Sequence, residues 1–266
     1  MLPEDENHFK FGENWKSFSE MLDEDRIRDA ERSIIGLIAA DRIDGRSFMD
    51  IGCGSGLFAI AAARLGASPV IGLDVDPESI HTSYQNNQRW LPEQSIRFEL
   101  LSVLDDAGMS QLPLVDIAYA WGSLHHTGNM HKAIHNAGQK VKPGGLYVIA
   151  IYNRHITSSL WLIIKRIYNA LGNNGRRLLV FTLTPIIAMA KFLATGKNPF
   201  QPRRGMDMKH NVIDWIGGYP YEYGSITEIS SILEKEGFTV EKTFPANVPT
   251  GCNEFICVKN MEDHKK

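Results

Sequence analysis

Short apolar runs and amphipathic stretches take turns along most of this chain. Residues 18–40 carry apolar positions at helical spacing, with Met21, Leu22, Ile27, Ile34, Leu37 and Ile38 marking one face. "SFMDI" then reads as a short buried strand, and "LFAIAAARLGA" as a helix of strong formers closed by Gly66. "PVIGLDV" is a second strand. "DPESIHTSYQNNQRW" opens like a helix, with Asp76 as N-cap and Pro77 in the first turn. "SIRFELL" and "VDIAYAW" are further strands, "NMHKAIHNAGQKV" is a helix, "KPGG" a turn, and "LYVIAIYN" a fifth strand. This alternation predicts an α/β fold, a doubly wound and mostly parallel sheet covered on both faces. Right-handed crossovers bring the strand C-termini to one edge, where such sheets bind ligands.

After residue 153 the rhythm breaks. Leu160, Ile163, Ile164, Ile167 and Leu171 fall at helical spacing, and a longer apolar run, "RRLLVFTLTPIIAMAKFLA", is interrupted by Pro185. A Pro/Gly/Arg loop follows. Ser225 and Glu228 then have the spacing of a capping box. "TVEKTF" and "NEFICVK" close the chain as an antiparallel pair, bringing the sheet to seven strands. Four parts follow from this: an N-terminal helical segment (1–45), a cofactor-binding Rossmann-like core (46–153), a basic helical insertion or lid (154–222), and a C-terminal helix with two strands (223–266).

With 266 residues, 43% of them hydrophobic, the chain can bury one sizeable core with an elaboration. Three cysteines without CxxC spacing fit a reducing compartment, and the acidic, polar N-terminus lacks the apolar stretch of a signal peptide. A cytoplasmic location is the expectation. The net charge of -3 argues against a polyanion binder by overall composition. The charge is uneven, however: residues 154–210 hold ten Lys/Arg and a single acid, Asp207, whereas residues 1–32 hold ten acids against five bases. A basic and apolar insertion of this kind keeps open a peripheral contact with an anionic membrane through residues 154–210. Its apolar run of 17 residues, with two threonines, a proline and a lysine, reads as too short and mixed to span a bilayer.

The chemistry concentrates at "FMDIGCGSGL". Gly52, Gly54 and Gly56 recur at every second position behind Asp50, so they belong to a loop and not to a strand or helix interior. A dinucleotide loop would want its third glycine where Leu57 stands. Asp74 ends the second strand, where a carboxylate accepts two hydrogen bonds from a ribose diol. Asp105 follows the third strand, where it can accept from an adenine amino group; Asp106 beside it is the alternative. Helix capping or solvation of strand ends is the plainer reading of Asp50 and Asp74. Cys53 reads as a small filler of the loop, and His131 and His135, four residues apart on one helix, as solvated surface groups without a third metal ligand.

The ordered stretches "MDIGCGSGLF", "VIGLDVDPESI", "SVLD", "AWGSLHHTGNMHKAI" and "VKPGGLYVIAIYN" resemble class I S-adenosylmethionine-dependent methyltransferases, of the small-molecule group that contains the ubiquinone-pathway methylases. The resemblance spans residues 48–153. It implies S-adenosyl-L-methionine as cofactor, with Gly52, Gly54 and Gly56 against its methionine part and Asp50 anchoring that region. It further implies Asp74 on the ribose hydroxyls, Val75 packed on the adenine, Asp105 at the adenine amino group, and Trp121 and Gly122 lining the cleft. The sheet's last strand would be reversed.

A sulfonium methyl is already activated, so such a protein must align the acceptor, exclude water and, for a hydroxyl acceptor, take a proton. His126, then His125, follow the fourth strand and are the candidate bases, with Glu222 as a further one. The segment "RRGMDMKHNVIDWIGGYPYE" gathers Arg203, Arg204, Asp207, His210, Asp214, Trp215 and Glu222 and suits an acceptor loop. Phe11 and Trp15 are candidates for a roof over the cofactor. The reading is therefore O-methylation of a small-molecule acceptor. The alternatives are a membrane-associated enzyme acting on a prenylated or lipid acceptor and, less favoured, a nucleic-acid methyltransferase. No nucleic-acid partner is expected, since "AWGS" stands after the fourth strand where an NPPY-like tetrad would.

Overall fold

In the computed structural model the described residues are 9, 11–200, 208–249 and 251–261, the side chains of Glu13 and residues 208–211 excepted. Arg203, Arg204, Asp207 and the His210 side chain, all expected in the acceptor loop, lie outside the described residues. Seven strands run β1 (Phe48–Ile51), β2 (Val70–Asp74), β3 (Arg97–Leu100), β4 (Val115–Trp121), β5 (Val141–Tyr152), β6 (Phe238–Phe244) and β7 (Cys252–Lys259). They form one sheet in the order β3-β2-β1-β4-β5-β7-β6. β1 to β5 pair in parallel, while β7 runs antiparallel to both β5 and β6, which is the reversed last strand expected. The order reverses between β1 and β4, so the loops after these two strands face each other across the ligand-binding edge.

The helices are α1 (Phe11–Ser19), α2 (Glu24–Leu37), α3 (Leu57–Arg64), α4 (Pro77–Trp90), α5 (Asp106–Ser110), α6 (Met130–Gly138), α7 (Ser158–Ala170), α8 (Asn173–Thr195), α9 (Met208–Gly217) and α10 (Ile226–Lys235). Alternate residues of each central strand serve opposite faces. Phe48, Ile117, Tyr119 and Val148 pack with α2 and α3 on one side. Met49, Ile51, Ala118 and Ile149 pack with α6 and α10 on the other. Burial on both faces is why these strands read as unbroken apolar runs.

Two helix starts form as their sequences predict. The Asp76 carboxylate accepts from the Glu78 and Ser79 amides, and Ser225 with Glu228 completes a capping box. Other elements differ. The single helix expected over 18–40 is two, because Asp23 accepts from the Arg26 amide and starts α2 afresh. "KPGG" is an irregularity inside β5, with Gly144 at φ 73° and a register shift against β4 between Val115 and Ile117. Pro185 does not break α8; it is exposed, so the carbonyl it deprives of a partner meets water. At 23 residues α8 is, by length and composition, long and apolar enough to cross a membrane, contrary to the reading of its 17-residue run. The acceptor segment is in part helix α9. The insertion has its own small core, in which Tyr168, Ile187, Ala188, Val212 and Ile216 meet beneath Trp161 and Trp215.

Replacing Ser225 by Ala removes the α10 cap and is expected to cost about 1 kcal/mol. The measurement is a urea titration with an unchanged slope and a lower midpoint; an unmoved midpoint would mean that the Arg154–Glu228 ion pair holds the helix end by itself.

Candidate active site

The glycine loop leaves β1 in a left-handed path, with Gly52 at φ 77°, Gly54 at 55° and Gly56 at 76°. L side chains are strained there. Space excludes them too: a Cβ on Gly52 would collide with Ser123, and one on Gly54 would lie 2.8 Å from the Trp15 ring. Backbone and side-chain donors set the loop's shape. The Gly52 and Cys53 amides donate to the Leu73 carbonyl at 2.7 and 2.9 Å. Ser83 donates to the Gly54 carbonyl at 2.9 Å and Asn86 to the Ser55 carbonyl at 2.8 Å. Cys53 is buried with its sulfur 3.8 Å from the Ser83 hydroxyl, and burial pushes its thiol up, as suits a filler.

Two carboxylates lie under this loop. Asp74 accepts from the Gly54 amide on one oxygen and from the Asp76 amide on the other, both at 2.9 Å. It therefore ties the loop to the start of α4, while each oxygen keeps a second lone pair for a ligand. Burial raises its pKa to about 6. Asp50 is 4% exposed, and its Oδ2 has no hydrogen-bond partner. Burial first, and the Asp74 charge second, raise its pKa to about 7. α1 lies across the loop. The Gly12 amide donates to Asp76 at 3.0 Å, Lys16 pairs with Glu78 at 2.8 Å, and Trp15 rests on Gly54. Phe11 and Trp15 thus sit where a roof was expected.

The adenine side needs one correction. Asp105 is the exposed N-cap of α5, its Oδ1 accepting from the Ala107 and Gly108 amides at 3.1 Å each. Asp106 is engaged by Lys132 at 2.9 Å and Asn136 at 2.8 Å, which hold its carboxyl below the usual range. Val75 is 58% exposed beside Asp74. Trp121 donates from its indole to Glu254 at 2.7 Å, and Gly122 turns at φ 79° across the edge from the glycine loop.

The three base candidates part company. His125 is 1% exposed, packs at a tilt against the Tyr152 ring with centroids 4.1 Å apart and accepts from the Tyr152 amide at 3.3 Å. Burial and the neighbouring His126 and Lys165 depress its pKa well below normal, so it is a neutral strut. Glu222 accepts from the Met130 amide at 2.9 Å and pins the start of α6; burial pushes its carboxyl up. His125 was expected near the transferred methyl and Glu222 as a further base in the acceptor segment; both make backbone contacts. His126 is half-buried. Its Nδ1 lies 2.7 Å from the Pro220 carbonyl, which fixes the proton on Nδ1 and makes Nε2 the basic nitrogen. Its ring packs against Phe11 at 4.9 Å and Tyr152 at 5.5 Å. A side chain at Gly218 would lie 2.7 Å from the His126 ring, so this glycine of "DWIGGYPYE" clears room for it.

One buried cation beside the site had no sequence signal. Lys165 is wholly buried, donates to the Trp215 carbonyl at 2.5 Å and lies 4.7 Å from the Tyr221 ring centre. Asp214, read as part of a loop, stands on α9 and accepts from Asn14 at 2.6 Å. Burial lowers the Lys165 pKa and raises that of Asp214.

Residues 22–243 match the methyltransferase domain family. The chain belongs to that family. The match is to the domain at large and does not narrow to the ubiquinone-pathway group. The ribosomal protein L11 methyltransferase of Burkholderia multivorans is 32% identical over 130 residues, covering 44% of this chain but only 39% of that protein. Among solved structures, magnesium protoporphyrin IX methyltransferase from Synechocystis PCC 6803 with bound SAH superposes with a TM-score of 0.56 at 15% identity, covering 88% of this chain and 83% of that one. An S-adenosylmethionine-dependent methyltransferase from Mesorhizobium loti gives 0.52 at 16% identity, covering 86% and 98%. At those identities the likeness shows the fold. This methyltransferase is thus an enzyme of the class I architecture.

The buried residues fit its cofactor. The orphaned Asp50 oxygen suits a cationic amino group, and the three glycines of the loop leave backbone free of side chains at alternate positions beside it. Because the folded state raises the Asp50 pKa, the stability this confers is present below about pH 4 and is lost as pH rises through about 7. Asp50→Asn is therefore expected to stabilise the cofactor-free protein at pH 8 by on the order of 2–4 kcal/mol, with little gain near pH 4. The same change should weaken S-adenosylmethionine binding about 10- to 100-fold. Thermal melts at the two pH values and calorimetric titration check both halves; equal gains at both pH values would refute the buried charge.

Proposed function

We propose that this methyltransferase moves the methyl group of S-adenosyl-L-methionine to a hydroxyl of a small-molecule acceptor, with His126 as the base. The donor supplies a methyl group already activated by a positively charged sulfur. The chain's own residues do the rest. Asp50 and the glycine loop bind the amino-acid end, Asp74 binds the ribose, and α1 with Trp15 excludes water from above. His126 Nε2 accepts the acceptor's proton, and the Pro220 carbonyl steadies the imidazolium through Nδ1.

One observation carries this reading: the tautomer of His126. A histidine on the loop after β4, at the same sheet edge as the glycine loop, has its proton pinned on Nδ1 by a carbonyl within an aromatic wall. His125 and Glu222 are engaged by backbone amides, which supports His126 over them. A protein acceptor, as the name of the L11 methyltransferase relatives states for those proteins, is the alternative.

The test is incubation with labelled cofactor and a panel of hydroxylated small molecules alongside protein extracts, read by mass spectrometry. His126→Ala is expected to lower turnover on the identified acceptor about 100- to 10,000-fold while leaving cofactor affinity within about twofold. The wild-type kcat should fall at acid pH with a single protonation that the variant lacks. Unchanged turnover in the variant would remove His126 as the base, and labelling confined to protein would replace the acceptor class.

A further inference from the structure

α8 is apolar on two sides. One stripe, with Leu183, Ile187 and Ala188, packs into the insertion's core against Tyr168, Val212 and Ile216. The opposite stripe points outward: Phe181 is 78% exposed and Leu193 75%, with Leu178, Ile186 and Met189 also above half. α7 presents Leu160, Ile163 and Ile167 in the same manner, at spacings of three and four residues. Monomeric surfaces rarely leave so many large apolar side chains together in water.

Charge identifies what covers this face. Residues 154–200 contain seven Lys/Arg and no Asp or Glu. Of the seven, Lys165 is buried, Lys191 is half-buried and engaged, Arg154 pairs with Glu228, and Arg176 donates to the Tyr168 and Asn169 carbonyls at 3.1 and 3.0 Å. Arg166, Arg177 and Lys197 are exposed on the two helices and just past the end of α8. An apolar stripe edged by bases alone is the composition of an interfacial helix on an anionic bilayer. A second copy of the chain fits less well, since an isologous contact would set this acid-free, basic segment against itself. A membrane-spanning α8 fits less well still, because Ile187 and Ala188 on its inner side are 4% and 7% exposed within the protein.

We propose that the exposed faces of α7 and α8 dock peripherally on an anionic lipid bilayer, with the apolar stripes in the acyl boundary and Arg166, Arg177 and Lys197 among the headgroups. Docking does not depend on the methyl acceptor, so it stands or falls apart from the proposed reaction.

Flotation of the full chain with vesicles tests it. Binding is expected to phosphatidylglycerol-containing phosphatidylcholine vesicles at low salt, weaker at high salt, and slight to phosphatidylcholine alone. Arg166→Gln and Arg177→Gln should each lower the partition coefficient about fivefold. Phe181→Ser with Leu193→Ser should lower it at least about tenfold per side chain. Far-UV circular dichroism and melting temperature of these surface variants should match the parent. No binding to the anionic vesicles at low salt would overturn the proposal, as would full binding by the Phe181→Ser, Leu193→Ser variant. Light scattering tests the remaining occupant: a dimer that the double serine variant dissociates would overturn the lipid assignment and give the face to a second copy.

Discussion

One acidic side chain buried and a second half-buried under one glycine loop are the constraint around which this molecule is arranged. Desolvation raises both pKa values, with the Asp74 charge adding to the effect on Asp50 and the Asp76 charge to that on Asp74. A buried carboxylate is tolerated when backbone amides or a cation meet it. Asp74 has two amides; the buried Asp50 Oδ2 has none. A cationic ligand relieves what the fold leaves unpaired, and a methyl donor with an ammonium group and a sulfonium brings two positive charges to the place. The glycines follow from the same demand. Only residues without a Cβ let main-chain N–H groups turn inward here while Ser123 and Trp15 press from outside.

The sheet was legible because its signals are local. Each central strand is an apolar run, and Asp76, Ser225 and Gly66 punctuate helices through contacts only a few residues away. The loop chemistry was legible for the same reason, since Asp50, the three glycines and Asp74 lie within 25 residues. What escaped depends on distant partners. α4 buries Ser79, Thr82, Ser83, Asn86 and Asn87, a polar stripe that hydrophobic periodicity assigns to water. Within it, Ser83 and Asn86 face inward because the Gly54 and Ser55 carbonyls of the loop take their hydrogen bonds. Glu222 read as a candidate base amid its polar neighbours, yet the Met130 amide claims it from 92 positions away. Lys165 looked like surface charge, and only the fold shows two tyrosine rings and a carbonyl around it.

The N-terminal helix joins the two halves that sequence separates. It meets the cofactor half through the Gly12 amide on Asp76, the Lys16–Glu78 pair and Trp15 on Gly54. It meets the insertion through Asn14, whose amide donates to Asp214 on α9. Asp214 in turn favours the charged form of the buried Lys165, whose ammonium grips the turn of α9 at Trp215. These links share one helix of nine residues. If Trp15 lifts from the glycine loop, α1 either breaks the Asn14–Asp214 bond or drags α9 with it. α9 leads directly into Gly218 and Pro220, the backbone that shapes and orients His126. α1 therefore touches both the glycine loop and, through Asn14 and Asp214, the helix that leads to the backbone around His126.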